Sequence, residues 1–171
     1  MNRIAKFYKV SFQQFKKDWL DCFPNTPINT VEAIYNNIQL PKRATKGSAG
    51  HDFFTPINFS VAPNETIKFP TGIKVQIDEG WVLKCYPRSS LGFKFRLQLN
   101  NTVGIIDSDY FYSDNEGHIF VKMTNASNEN KVAEIKAQNG FMQGIFVQYG
   151  ITIDDDVETI RNGGFGSTTV K

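Results

Sequence analysis

The chain has 171 residues, of which 21% are charged, and its formal net charge at pH 7 is +2. This length suits one domain with a sizeable core, and scattered basic residues give no electrostatic footprint for nucleic acid. No apolar run reaches membrane-spanning length and the N-terminus has no signal-peptide pattern. We therefore expect a cytoplasmic protein that binds neither nucleic acid nor a membrane.

The cysteine and histidine content argues against a transition metal held by protein ligands. Cys22 and Cys85 are the two cysteines, His51 and His118 are the two histidines, and no pair of them stands at metal-ligand spacing. We expect both cysteines to be reduced and to act as small apolar side chains.

Residues 1–37 have a helical pattern. Aromatic side chains recur at helical spacing at Phe12, Phe15 and Trp19. Ser11 precedes them and is a residue type that caps helix N-termini. A second short helix is predicted to begin at Asn29 or Thr30 and to end before Pro41. We predict that the aromatic stripe packs against the rest of the domain, and docking of a partner protein is the alternative.

From residue 38 onward the helical period gives way to short apolar segments separated by Gly, Pro, Asn or Asp. The segments predicted as strands are 52–54, 57–61, 66–69, 73–77, 81–86, 97–100, 119–123, 131–135 and 141–149. Many short strands with turn residues between them indicate an all-β barrel or a double-sheet roll. Residues 161–171 are too glycine-rich for either element, and alone in water they are expected to be mobile.

Residues 101–110 combine a bent apolar stretch with a carboxylate and an aromatic ring. Branched apolar side chains around Gly104 indicate a hairpin whose backbone approaches a ligand closely. Asp107 can take a proton from water, and Tyr110 can press a flat face on a sugar. An Asp-x-Asp metal pair formed with Asp109 is the alternative, and a turn role for Asp109 is favoured.

The segment 87–92 offers Arg88, Ser89 and Ser90 in one turn. Arginine binds phosphate oxygens bidentately and serine supplies neutral donors, so this turn suits a phosphate, although a capped turn between strands is the structural alternative. The glycine-rich tail from Arg161 to Ser167 could likewise clasp a phosphate, or be a disordered tail.

Two isolated polar residues complete the candidate set. Asp52 follows a glycine bend that a tight turn would also explain, and Gln143 interrupts a predicted strand, where it either needs a partner or faces solvent.

In order and combination, these segments resemble the trimeric dUTPase (deoxyuridine 5′-triphosphate nucleotidohydrolase) family over about residues 38–171. The matching segments are 40–52, 87–94, 101–110, 140–146 (weakly) and 161–168. The resemblance implies an all-β fold, a distorted jelly-roll or β-clip barrel with a short helical N-terminal extension. It divides the chain into the extension (1–37), the β core (38–160) and an arm that closes over the active site (161–171).

The resemblance implies hydrolysis of dUTP to dUMP and pyrophosphate, which limits uracil in DNA and supplies dUMP. Asp107 corresponds to the general base that activates water for attack on the α-phosphorus. Tyr110 corresponds to the residue that stacks under the deoxyribose and excludes a 2′-hydroxyl. Asn101, with the hairpin backbone at Gly104 and Ile106, corresponds to the part that reads the uracil edge.

The remaining correspondences concern the phosphates and the arm. The phosphate contacts are Arg88, Ser89, Ser90 and Gln143. The arm supplies Arg161 and Ser167 for the γ-phosphate, Phe165 to cover uracil, and Gly166 as a further substrate-binding residue. Asp52 corresponds to a carboxylate near metal-bound waters, and Mg²⁺ is implied to be held by the phosphates and water without a direct protein ligand. A homotrimer with shared active sites is implied as well.

The chain departs from the family pattern in three places. Gly140 stands where the family usually has an arginine, and Gly144 replaces a bulkier residue after Gln143. One residue separates Arg161 from Gly163 where two are common. The resemblance does not cover residues 1–37.

Two other functions remain as alternatives at this point. A dCTP deaminase-like enzyme shares the fold but uses a glutamate to activate water beside the base, and the pair Asp107 and Tyr110 favours dUTPase. A dUTPase that also binds a regulatory protein through its N-terminal helix is the second alternative.

Overall fold

The computed structural model describes residues 2–159 and residue 161. Its elements in chain order are β1 (Ala5–Lys9), α1 (Phe12–Cys22), α2 (Ile28–Asn36), β2 (Lys42–Arg43), β3 (His51–Phe54), β4 (Phe59–Val61), β5 (Thr66–Pro70), β6 (Ile73–Ile77), β7 (Trp81–Pro87), α3 (Ser89–Phe95), β8 (Leu97–Leu99), β9 (Gly104–Ile106), a 3-10 helix (Ser108–Tyr112), β10 (Phe120–Asn125), β11 (Ala133–Ile135) and β12 (Gly140–Gln148).

The strands form four antiparallel sheets. The largest has the order β2-β3-β12-β7-β9, the second has the order β5-β10-β8, and the other two are the pairs β1-β6 and β11-β4. Within the described residues no sheet closes on itself, so the predicted barrel is not observed. The protein is mostly β-structure with three α-helices, none of which, in the part of the chain described, is long and apolar enough to cross a membrane.

All of the segments predicted as strands contain one, with ends displaced by at most two residues. The strands β1 and β2 and the helix α3 were not predicted. Helix α3 was missed because it has no apolar stripe that a sequence pattern could reveal. Most of its residues are exposed, and Phe93 is 92% exposed.

The aromatic stripe of α1 belongs to the core. Phe15 is fully buried and Trp19 is 2% exposed, and both lie in one hydrophobic cluster with strand residues such as Phe53 and Phe141. The hydroxyl of Ser11 accepts a hydrogen bond from the Gln14 N–H at 3.1 Å, as expected for a helix N-cap. Because these aromatic rings are buried, the packing role predicted for them is the one observed.

Polar contacts also tie the start of α1 to the β-structure. The Glu116 carboxylate accepts hydrogen bonds from the backbone N–H (2.8 Å) and the hydroxyl (2.5 Å) of Ser11, and from Lys74 (3.2 Å). Burial raises the pKa of Glu116, but these hydrogen bonds outweigh it and leave the pKa below its usual value. This pairing therefore stabilises the fold at neutral pH and is lost as the pH falls through that lowered pKa.

Replacing Phe15 with alanine tests whether α1 is part of the core. We expect Phe15→Ala to lower the free energy of unfolding by about 3–5 kcal/mol, because it opens a cavity among fully buried side chains. The matched control is Lys16→Ala, an exposed position on the same helix, with an expected change within about 0.5 kcal/mol. Urea denaturation measures both, and equal stability of the two variants would contradict the packing role.

Candidate active site

The predicted hairpin is present and lies close to the neighbouring strand. Strand β9 pairs with β7, with Gly104 opposite Cys85 and Ile106 opposite Leu83. A Cβ atom on Gly104 would lie 3.1 Å from the Cys85 Cβ, which is tighter than ordinary van der Waals contact. Glycine at this position therefore lets the hairpin backbone approach β7.

A cavity of about 710 Å³ opens beside the hairpin, within the size range of small-molecule sites. Predicted substrate residues line it at Asn101, Gly104, Ile106, Tyr110 and Arg161. Apolar side chains such as Leu99, Val103 and Met142 form much of the remaining wall. The residues that sequence analysis placed on a uracil and sugar site are thus brought together around one cavity.

Asp107 stands at the N-cap of the 3-10 helix that follows the hairpin. The Nη2 group of Arg161 donates a hydrogen bond to its Oδ2 at 2.5 Å. The Nε atom of Arg161 lies 2.9 Å from Asp109 Oδ1, in an ion pair that lacks hydrogen-bond alignment. The Asp107 side chain is 42% exposed, so water can reach it.

Asp109 belongs to the same ion-pair group as Asp107. The carboxylates of Asp107 and Asp109 share the guanidinium of Arg161. No group of three His, Cys, Asp or Glu side chains within the described residues could hold a metal ion. Asp109 is therefore an ion-pair partner of Arg161 in this structure.

Tyr110 lines the cavity and is itself 6% exposed. Its hydroxyl donates to the carbonyl oxygen of His118 at 2.8 Å and accepts from the Asn115 side-chain amide at 2.8 Å. Burial raises the pKa of Tyr110, so the hydroxyl keeps its proton and its donor role at neutral pH. The position of the ring is therefore fixed through its hydroxyl, by His118 and Asn115.

The predicted phosphate-binding residues form a second group. Arg88 stands at the N-cap of α3, and its Nε atom lies 3.3 Å from Asp52 Oδ1. Gln143 is opposite Asp52 in the β12–β3 ladder, and the exposed Ser89 and Ser90 begin α3. Of the described residues that line the cavity, none belongs to this group. One chain therefore presents two separate halves of the predicted site.

Gly140, one of the departures from the family pattern, lies against Arg88. A Cβ atom there would lie 2.7 Å from Arg88 Nη1 and 3.2 Å from its Cδ. Its carbonyl oxygen accepts from Arg88 Nη1 at 3.5 Å. The glycine therefore leaves the space that the Arg88 side chain occupies.

Sequence analysis missed several residues around the cavity. Lys68 and Lys122 line it and face each other across strands β5 and β10, and Asn115 holds the Tyr110 hydroxyl. The lysines come from strands that are distant in sequence, so only strand pairing brings them together. The predicted arm residues Phe165, Gly166 and Ser167 lie outside the described residues.

Comparison with known proteins gives a consistent result. The dUTPase family model matches residues 36–169. The deoxyuridine 5′-triphosphate nucleotidohydrolase of Lactococcus lactis subsp. lactis is 42% identical over 143 residues, which cover 81% of this chain and 94% of the relative. These matches favour dUTPase over the deaminase-like alternative.

Solved structures agree with the sequence matches. The dUTPase from Streptococcus mutans has a TM-score of 0.62 and 30% identity, covering 87% of this chain and 98% of that one. A mutant dUTPase from phage phi11 of S. aureus, which coordinates a structural Mg(II) ion, has a TM-score of 0.62 at 18% identity, covering 92% and 98%. The second similarity concerns the fold alone.

The thiol beneath the hairpin should be chemically inert. Burial raises the pKa of Cys85 to about 12, so at pH 8 about one thiol in ten thousand is ionised. In a Cys22→Ser variant, we expect Cys85 to react with a thiol reagent at least about a hundredfold more slowly in the folded than in the unfolded protein. The Cys85→Ser variant isolates the half-buried Cys22 as the comparison, and fast labelling of Cys85 in the folded protein would contradict its burial.

Proposed function

The chain belongs to the dUTPase family, and on that basis we propose that it hydrolyses dUTP to dUMP and pyrophosphate. The observation that supports this best is the grouping of Asn101, Gly104 and Tyr110 around one cavity, with the water-accessible carboxylate of Asp107 directly after the hairpin strand that lines it. Asn101 and the hairpin backbone suit a base, Tyr110 suits a sugar, and Asp107 suits a water molecule that attacks the phosphate.

Selection of the nucleotide follows from the cavity wall. The side chain of Asn101 and the backbone of β9 present donors and acceptors to the edge of a pyrimidine, so cytosine would leave buried polar groups unpaired. The tight approach of Gly104 to Cys85 fixes the hairpin against β7. The hairpin backbone therefore cannot move aside to accommodate the 5-methyl group of thymine. The Tyr110 ring stacks under the deoxyribose and excludes a 2′-hydroxyl.

The chemical step uses Asp107 as a general base. Asp107 takes a proton from a water molecule as the water oxygen attacks the α-phosphorus. The bond from that phosphorus to the oxygen bridging the β-phosphorus breaks, and pyrophosphate leaves. Arg161 is paired with Asp107 in this structure. The triphosphate competes for the same guanidinium, and its binding frees the carboxylate for water.

The separation of the two halves within one chain supports a homotrimer. We propose that Arg88, Ser89, Ser90 and Gln143 of one subunit bind the phosphates of a nucleotide held by the hairpin of another. Phe165, Gly166 and Ser167 of a third chain complete the site, with Phe165 over the uracil and Ser167 on the γ-phosphate. Arginine groups and bound cations then neutralise the charge that develops on the phosphates.

The donor set is compatible with Mg²⁺ bound through the substrate. Carboxylate oxygens suit Mg²⁺, but in this structure Asp107 and Asp109 pair with Arg161 and Asp52 pairs with Arg88. We propose that the phosphates and water hold the ion, with Asp52 near its water shell. When bound, the ion supplies positive charge to the phosphates.

We propose a distorted jelly-roll order for the sheets, an N-terminal segment (1–37), a β core (38–160) and a closing arm (161–171), in a cytoplasmic enzyme. The start of the family match at residue 36 supports the first boundary.

Removing the proposed base should abolish turnover. We expect Asp107→Asn to lower kcat for dUTP by about 10²–10⁴-fold with little change in affinity for a non-hydrolysable analogue, since the amide keeps the shape but takes no proton. Asp109→Asn, which removes the other carboxylate at Arg161, should lose less than about tenfold. Pyrophosphate release measures both, and full activity of Asp107→Asn would refute the assignment.

Mixing two inactive variants tests whether sites are shared between subunits. The native mass should be about three times the 19.4 kDa of the chain, and Asp107→Asn and Arg88→Ala should each be nearly inactive. Co-expressed in equal amounts, they should recover about a quarter of the wild-type activity, because a site then needs one intact residue from each variant. A wild-type monomer with full activity, or trimers without recovery, would contradict the shared site.

A further inference from the structure

The turn formed by residues 115–118 connects helix α1 to Tyr110, which lines the cavity. This turn follows the 3-10 helix that carries Tyr110, and it contacts α1 on one side and Tyr110 on the other. The family match starts after α1, at residue 36. The contacts between the helix and the turn therefore join a segment outside the family match to a segment inside it.

The first contact is a buried pair between Asp18 and His118. His118 is fully buried, and its Nδ1 atom lies 2.5 Å from Asp18 Oδ2. Its Nε2 atom accepts a hydrogen bond from the Gly72 N–H at 2.8 Å. The acceptor role of Nε2 puts the proton on Nδ1, where it is donated to Asp18. Asp18 thus fixes both the tautomer and the ring position of His118.

The backbone of the same histidine holds the sugar-binding ring. The Tyr110 hydroxyl donates to the His118 carbonyl oxygen and accepts from Asn115, both at 2.8 Å. The Asn115 side chain is oriented in turn, because its Oδ1 atom accepts from the Gly117 N–H at 3.1 Å. Both of these hydrogen bonds to the Tyr110 hydroxyl therefore come from the 115–118 turn.

The turn has little freedom to move independently. Gly117 has φ = 69°, and a Cβ atom there would lie 2.6 Å from the Tyr110 carbonyl oxygen. Glu116 holds the backbone N–H and hydroxyl of Ser11 at the start of α1. The turn is thus attached to α1 at Glu116 and at His118, and it packs directly on the backbone of Tyr110.

We propose that Asp18 is a positioning residue for nucleotide selection, acting through His118 on the Tyr110 ring. A ring that excludes a 2′-hydroxyl has to be held within a fraction of an ångström, and the 115–118 turn supplies that support from outside the cavity. The inference rests on the proposed dUTP hydrolysis. It gives α1 a part in choosing deoxyribonucleotides over ribonucleotides.

The ratio of kcat/KM for dUTP to kcat/KM for UTP tests the inference, since a ratio does not depend on the fraction of folded enzyme. We expect Asp18→Ala to lower this ratio about five- to tenfold, and Asp18→Asn, which keeps an acceptor oxygen for Nδ1–H but loses the carboxylate charge, to lower it only about two- to threefold. Asp21→Ala removes an exposed carboxylate from the same helix and should leave the ratio unchanged.

A second control separates positioning from stability. Val31→Ala creates a cavity at a fully buried position on α2 and should lower the melting temperature without changing the ratio. If Asp18→Ala does not fold, Asp18→Asn in a Tyr110→Phe background replaces it. Phenylalanine has no hydroxyl to hold, so Asp18→Asn should then have no further effect on the ratio, whereas it should lower the ratio measurably when Tyr110 is present.

The possible failures are distinguishable. A wild-type enzyme that does not hydrolyse dUTP refutes the proposed function, and with it this inference. An active wild type, combined with an Asp18→Ala variant that loses stability but keeps its ratio within about twofold, overturns the positioning role alone. Equal effects of Asp18→Asn in the wild-type and Tyr110→Phe backgrounds would overturn it as well.

Discussion

The pairing of strand β7 with a neighbour on each side determines where the site residues stand. On one edge β12 places Gln143 opposite Tyr86 and Met142 opposite Pro87, directly before Arg88. On the other edge β9 places Gly104 opposite Cys85. A one-residue slip in either ladder would turn the side chains to the opposite face of the sheet. The register of one strand therefore orients both the hairpin and the proposed phosphate-binding group.

Sequence patterns predicted the structural features that depend on residues close together in the chain. The apolar periods located both N-terminal helices and every strand except β1, β2 and β9. Ser11 was identified as a cap, and the hairpin that contains β9 was expected from Gly104 and its branched neighbours. What escaped prediction depends on partners far apart in the chain. Asp18 and His118 are separated by 100 positions, and neither residue belongs to a motif. The exposed helix α3 has no apolar stripe to reveal it.

The departure from the family at Gly140 has a local physical explanation. The position lies under the Arg88 guanidinium, where a side chain would meet it at 2.7 Å. Gly50 is similar, since a Cβ atom there would lie 2.8 Å from Gln143 Oε1. Two glycines thus leave room for two of the proposed phosphate contacts.

The order in which the chain is synthesised gives the burial of α1 another meaning. Ser11 leaves the ribosome 105 residues before its partner Glu116, and the Phe15 ring cannot complete its packing until His118 has been synthesised. Contacts of such long range slow folding and leave apolar surface uncovered in the meantime. The aromatic stripe of α1 is therefore expected to stay uncovered through most of translation. Chaperones that bind exposed apolar segments can reach it for longer than segments synthesised later.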